Sequence, residues 1–256
     1  GENGIALLSN GAVAEADGRT FDTLQAAFDY ATNEAPGFPT IKLLENVTLD
    51  ECIYPDSGVT LDLNGKTVSR APKEYTMGGN DASVFCVQSG GRLTIKDTAG
   101  GGQIVQPNIY AAVTANGGTV TIEGGTIKAT STAAENNRAI EVSSGTVTIN
   151  GGAIEGAQIG VRVWGGARLT VTGGTIRGGE SYALLTSGTV ELSGGTFITN
   201  ASNNYSIWNE KGTAESLLAS AGYAYTTEAG ERSAFSDDGR GVVGNTTVEE
   251  IPESVS

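Results

Sequence analysis

The chain has 256 residues, no His and a formal net charge of −14, with 38 Gly and only 6% aromatic residues. So acidic a chain is not built to grip nucleic acid or an anionic membrane surface, which need clustered Lys and Arg, and without His it lacks the commonest general base and metal ligand. No apolar run reaches the ~18 residues of a membrane span, so no membrane insertion is expected.

The lead-in, residues 1–19, holds a strand expected at Ile5 to Leu8 and a turn at Asp17-Gly18. No signal peptide is visible within the sequence, which begins Gly1-Glu2-Asn3, and the chain is expected to be part of a longer protein. From Thr20 the spacing Phe21, Leu24, Ala27, Phe28, Ala31 is helical, with Thr20 or Asp22 as cap. Pro36 and Pro39 end that helix, and Ile41 to Leu44 opens the next element. Residues 1–40 therefore read as a lead-in and capping helix laid across the end of the segment that begins at Ile41.

That segment is built from a repeat. Gly118 to Ala129 (GTVTIEGGTIKA) returns at Gly145 to Gly156, Ala167 to Gly178 and Gly188 to Thr199, with a looser copy at Gly91 to Ile104 and an echo at Val59 to Val68. The equivalent residues Ile95, Ile122, Ile149, Val171 and Leu192 are spaced by 27, 27, 22 and 21 residues, a period that means a solenoid. Val120-Thr121-Ile122 alternates as a strand with one buried face. The Gly-Gly pairs at 124/125, 151/152, 173/174 and 194/195 give corners where positive φ is allowed. A second short strand follows each pair, as in Thr126-Ile127-Lys128. A third run precedes each rung: Val84 to Val87, Ala111 to Thr114, Ala139 to Val142, Val161 to Trp164, Ala183 to Thr186 and Ser206 to Trp208. Three short strands per coil, in about six or seven coils over residues 41–212, predict an all-β fold, a right-handed parallel β-helix. Leucine-rich, calcium-binding nonapeptide and left-handed hexapeptide solenoids fit the spacing worse.

Insertions at 69–83, 106–109, 130–138, 179–181 and 200–204 are expected at one corner, on one side of the solenoid. Just after them, at equivalent positions, stand Tyr110, Arg138, Ile159, Tyr182 and Tyr205, with Trp164 further along its strand. After Trp208 the repeat ends. Residues 213–221 read as a second short helix capped by Thr213, residues 222–230 as a strand and turn, and the acidic stretch from Glu249 as linker. Residues 213–256 thus form a C-terminal cap and tail of what is one structural domain overall. Cys52 and Cys86 fall on neighbouring rungs about two positions out of register, which favours buried thiols over a disulfide.

The helix containing Thr23 to Ala27 (TLQAA), then Ile41 to Leu49 (IKLLENVTL), Val59 to Val68 (VTLDLNGKTV), the Gly-Gly-Thr rungs and the closing Ser216 to Tyr225 (SLLASAGYAY) together resemble the pectate-lyase-like β-helix modules of large surface proteins of Gram-positive, often gut, bacteria. The resemblance covers roughly residues 20–230. It implies an extracellular, cell-surface module of adhesin-like character.

The outward positions give no catalytic pattern. One column reads Asp62, Thr94, Thr121, Thr148, Thr170, Glu191; the next Asn64, Lys96, Glu123, Asn150, Thr172, Ser193; a third Lys128, Glu155, Arg177, Ile198; and the third-strand face Glu141, Arg162, Leu184, Ile207. None stacks two or three carboxylates, so no catalytic residue, metal site or cofactor is assigned. Lys128, Glu155 and Arg177 read as cross-strand ion pairs on a solvated face. An ice-binding reading of the Thr column fails for want of a second matched column. The sharper candidate is aromatic: Tyr182, Tyr205, Trp164 and Tyr110, with Arg138, as a ledge on which sugar rings stack. The expected function is a noncatalytic, monomeric module for adhesion to a glycan or a surface protein. The alternatives are a polysaccharide lyase or glycoside hydrolase of this fold, and a structural spacer.

Overall fold

The computed structural model describes residues 11–35, 37–73, 82–133, 137–202 and 204–251. Its body is a parallel β-solenoid of about seven stacked coils. The repeat residues stack as the spacing requires: Ile95 pairs with Ile122, Ile122 with Ile149, Ile149 with Val171 and Val171 with Leu192, and all five are fully buried. A second internal ladder runs through Ile104, Ile127, Ile154, Ile176 and Phe197. The second glycine of each Gly-Gly pair takes φ of +80° to +95°, at Gly125, Gly152, Gly174 and Gly195, a region that L side chains avoid. In two coils the third run and the following rung fuse into one strand bent around a corner, Val113–Ile122 and Arg138–Ile149.

Two capping structures close the stack. At the start, β1 (Ala14–Ala16) and β2 (Arg19–Phe21) form an antiparallel hairpin around Asp17 and Gly18, with φ of +50° and +77°, the double positive φ of a tight hairpin turn. Phe21 therefore belongs to a strand, and α1 (Leu24–Asn33) begins later than its apolar spacing suggests. Its N-cap is Thr23, not Thr20 or Asp22, because the Thr23 hydroxyl accepts from the Ala26 N–H at 3.1 Å. Leu24, Ala27, Phe28, Tyr30 and Ala31 are buried, and the Phe28 ring lies 5.7 Å from that of Phe85. The helix thus covers apolar surface that an open solenoid end would expose. The strand expected at Ile5 to Leu8 lies outside the described residues.

At the other end, the expected second helix is only a 3-10 turn, Glu215–Leu217, although the Thr213 hydroxyl does accept from the Ser216 N–H. One turn suffices because Leu218 bridges directly to Leu192 of the last rung. Of the stretch from Glu249 expected as linker, Glu249 and Glu250 instead belong to a strand, Thr246–Glu250, antiparallel to both Tyr223–Thr226 and the last rung at Thr196–Phe197; residues 252–256 lie outside the described residues. Thr246 and Val248 are buried, while Thr247 between them is half-buried and Glu249 and Glu250 are exposed, so a segment ending in charge still makes a half-buried strand. Gly241–Val243 pairs antiparallel with Tyr205–Asn209. Here a Cβ on Gly241 would sit 2.8 Å from the Trp208 ring, so only Gly allows this closure.

The register corrects two of the outward columns. Thr60, not Asp62, pairs with Thr94, while Asp62 pairs with Lys96; two glycine-rich corners of different length mask a two-residue offset. Asp62 instead turns into the corner, where Asn64 N–H, Thr98 N–H and the Thr98 hydroxyl all donate to it. On the other side of the Thr column lies a further column, Gly58, Arg92, Thr119, Thr146, Arg168, Thr189. Two rungs, Thr119/Thr121 and Thr146/Thr148, therefore carry paired Thr, and arginines interrupt the pattern on both sides. Of the ion pairs expected along Lys128, Glu155 and Arg177, the Lys128–Glu155 pair forms, at 3.1 Å across adjacent rungs, while Arg177, opposite Glu155 in the next coil, makes no ion pair with it. Cys52 and Cys86 are both buried thiols. Ile53 bridges Phe85, which sets the two cysteines two positions out of register.

Candidate functional site

The described parts of the corner insertions all lead into one stack of strands, whose outward face forms a flank of the solenoid. In parallel register the central column of this flank reads Cys86, Thr114, Glu141, Arg162, Leu185, Trp208. Sequence spacing assigns Leu184 and Ile207 to this column. Both are fully buried and point inward instead, because Leu184 pairs with Val161, an interior residue. The one-position slip matters: it conceals Trp208 at the outer face.

Glu141 is the hub of the flank. Its Oε2 accepts from Arg138 Nε at 3.0 Å and from the guanidinium's Nη2 at 2.5 Å, and its Oε1 accepts from Trp164 Nε1 at 2.8 Å. The Arg138 guanidinium lies over the Tyr110 ring, 5.2 Å from its centroid. Burial, then the nearby Glu141 charge, pushes the Tyr110 phenol up to about 12. Glu141 itself is only 5% exposed. Both of its oxygens are hydrogen-bonded, as burial of a polar group requires. Three of the five sequence candidates, Tyr110, Arg138 and Trp164, are thus brought together by one residue outside that set.

Trp164 stands at the exposed end of this network. The residue is 41% exposed, and the Arg162 guanidinium packs at 4.1 Å from the ring centroid. Arg162, 6% exposed, in turn donates to Glu210 Oε2 at 2.7 Å. One face of the indole is backed by a cation, its N–H is fixed by Glu141, and the remaining surface meets solvent. The ring is a platform whose orientation is set before any ligand arrives.

The other two candidates form a separate group. Tyr182 stacks on Trp208 with centroids 6.0 Å apart, and Tyr205 tilts against the same ring at 5.2 Å. Trp208 is covered in addition by the backbone at Gly241. These three rings pack the junction between the last coil and the C-terminal strands. Ile159 and Tyr205 do occupy positions equivalent to Arg138 and Tyr182, whereas Tyr110 sits one residue earlier, opposite Asn137.

A family model, a domain of unknown function (DUF333), matches residues 78–105. That segment spans about one coil, so the match describes a rung and not the chain. No curated protein and no solved structure matches. The functional reading therefore rests on the flank itself.

Elsewhere, a cavity of about 660 Å³ opens in the C-terminal cap between Leu218, Tyr223, Tyr225, Phe235 and Ile251, where the Tyr225 hydroxyl is already bonded to the Ala214 carbonyl. Among the described residues no three of His, Cys, Asp and Glu gather closely enough to hold a metal ion. The flank carboxylates are each shared with an arginine, Glu141 with Arg138 and Glu210 with Arg162.

Proposed function

We propose that this chain is a noncatalytic β-solenoid module that binds glycan on its flank, working outside the cell in adhesion as part of a bacterial surface protein. The observation that carries the reading is the Trp164 platform. A sugar ring offers an apolar face of C–H groups that stacks on an indole while its hydroxyls reach polar neighbours. Holding that indole in place beforehand removes an ordering cost that binding would otherwise bear. Nothing in the packing of the solenoid calls for an exposed Trp locked by a buried carboxylate and a buried guanidinium. The carboxylates of the flank, each tied to an arginine, favour a recognition role over acid–base chemistry, which needs a carboxyl group able to exchange its proton with substrate.

The test is a glycan-array screen followed by titration of the best ligand, with wild type beside Trp164→Ala and with folding checked by circular dichroism. Covering the exposed part of an indole contributes roughly 1–2 kcal/mol, so the substitution should weaken binding by about fivefold to thirtyfold. Tyr182→Ala, which loosens the Trp208 group, should cost stability but leave affinity within about twofold. Unchanged affinity in folded Trp164→Ala would remove the flank as the site. Absence of binding across the array would shift the reading to a protein ligand or a spacer.

A further inference from the structure

Around Trp164 the charges do not balance, and the imbalance describes the ligand. Glu141 is engaged by Arg138 and by the indole N–H, and Glu210 by Arg162. The backbone carbonyl of Glu210 also accepts from the Arg240 guanidinium. These pairs account for both carboxylates next to the platform. Lys211, the next residue after Glu210, is exposed and has no ion-pair partner among the described residues. Its side chain reaches back over the turn after Trp164: the ammonium nitrogen lies 3.0 Å from where a Cβ on Gly165 would sit. Gly165 and Gly166, having no side chains, keep that approach open beside the ring. Behind the ring, Nη1 of the buried Arg162 has no hydrogen-bond partner, so the guanidinium is not fully satisfied by Glu210.

Resting on the glycan reading of this flank, we propose that the ring seated on Trp164 carries an anionic group, a carboxylate or a sulfate ester, held by Lys211. A neutral sugar would leave the exposed ammonium unused beside a platform whose two neighbouring carboxylates are already engaged by arginines. The chain as a whole carries −14, and its long-range field opposes an anionic ligand. At physiological ionic strength that field is screened beyond roughly 8 Å, so the cation in contact with the ligand decides. An ammonium beside an exposed aromatic face reads an acidic pyranose through one charge-assisted hydrogen bond and one stacked ring.

The experiment uses sets of oligosaccharides that share linkage and length but differ in charge: a neutral hexose form, its uronate and its sulfate ester. Each is titrated calorimetrically against the wild-type chain, Lys211→Gln, Lys211→Arg and Trp164→Ala. Wild type should bind one or both acidic forms about tenfold more tightly than the neutral one, and which of the two names the source of the charge. Lys211→Gln should abolish that preference while leaving neutral affinity within about twofold, Lys211→Arg should retain it, and high salt should narrow it. Equal binding of all three forms by wild type, or a preference surviving in Lys211→Gln, overturns the charge assignment while leaving the platform standing. Failure of every form to bind wild type overturns the glycan reading and this inference with it.

Discussion

At the scale of single residues, the flank turns on Glu141 and the corner of an early coil turns on Asp62, and both are buried acids in an otherwise solvated acidic chain. Asp62 is 4% exposed, with Oδ1 accepting from the N–H groups of Asn64 and Thr98, both at 3.0 Å, and Oδ2 from the Thr98 hydroxyl at 2.8 Å. Burial alone would push its pKa up. The hydrogen bonds from Thr98 and Asn64, with the nearby Lys96 charge, outweigh that and hold it below the ordinary aspartate value of 3.8. Because the folded pKa lies below the unfolded one, the carboxylate's contribution is present above pH 3.8 and is lost as pH falls through the folded value. Asp62→Asn should therefore lower stability near neutral pH by about 1–3 kcal/mol and flatten its dependence on pH below 3.8, read from urea melts across that range. A parallel loss in both proteins as the solution is acidified would show that Asp62 is not part of acid unfolding. Sequence offers Asp62 only as an outward-facing acid, since the corner that captures it is set by Thr98, 36 residues later.

At the scale of elements, the coil is defined by its corners as much as by its strands. Alternation in Val147-Thr148-Ile149 reads directly as a strand, and the Gly-Gly pair after it as a bend. The register across coils adds that the second glycine packs against the backbone of the coil before it. Gly152 has φ of +80°, and a Cβ there would lie 2.7 Å from the Gly125 carbonyl oxygen. Gly152→Ala should thus combine the left-handed penalty of roughly 1–2 kcal/mol with a clash against backbone that has little room to yield, lowering the thermal midpoint by several degrees or more. A midpoint unchanged from wild type would mean that the corner relaxes freely. The short C-terminal turn and the late start of α1 are the elements that local pattern misjudges. In each, a tertiary contact replaces local propensity: Leu218 bridging to Leu192, and Phe21 pairing in the hairpin with Ala14.

At the scale of the whole molecule, a solenoid is stable only if its ends are covered, because the first and last coils otherwise present unpaired strand edges. Here antiparallel strands do the covering, Ala14–Ala16 against Thr40–Leu43 at one end, and Gly241–Val243 and Thr246–Glu250 against the last coil at the other. Deleting residues 213–251 should leave a folded stack with an open edge that self-associates in proportion to concentration. Light scattering on the deleted and intact chains would check this, and a monodisperse deletion product would show that the last coil protects its own edge. The sequence by itself determined the stacked coils, their corners and the side on which the insertions emerge, because a two-residue alternation and a Gly-Gly pair act within a few neighbouring residues. It also picked out Tyr110, Arg138 and Trp164 as polar-aromatic residues beside those insertions. Only the tertiary structure decided that Glu141 joins them, that Tyr182 and Tyr205 pack instead around Trp208, and that the Lys211 ammonium comes beside Gly165, the residue after Trp164. Those relations join side chains 23 residues apart for Glu141 and Trp164 and 48 apart for Arg162 and Glu210. They depend on the strand register, and a slip of one position reverses which face a side chain occupies.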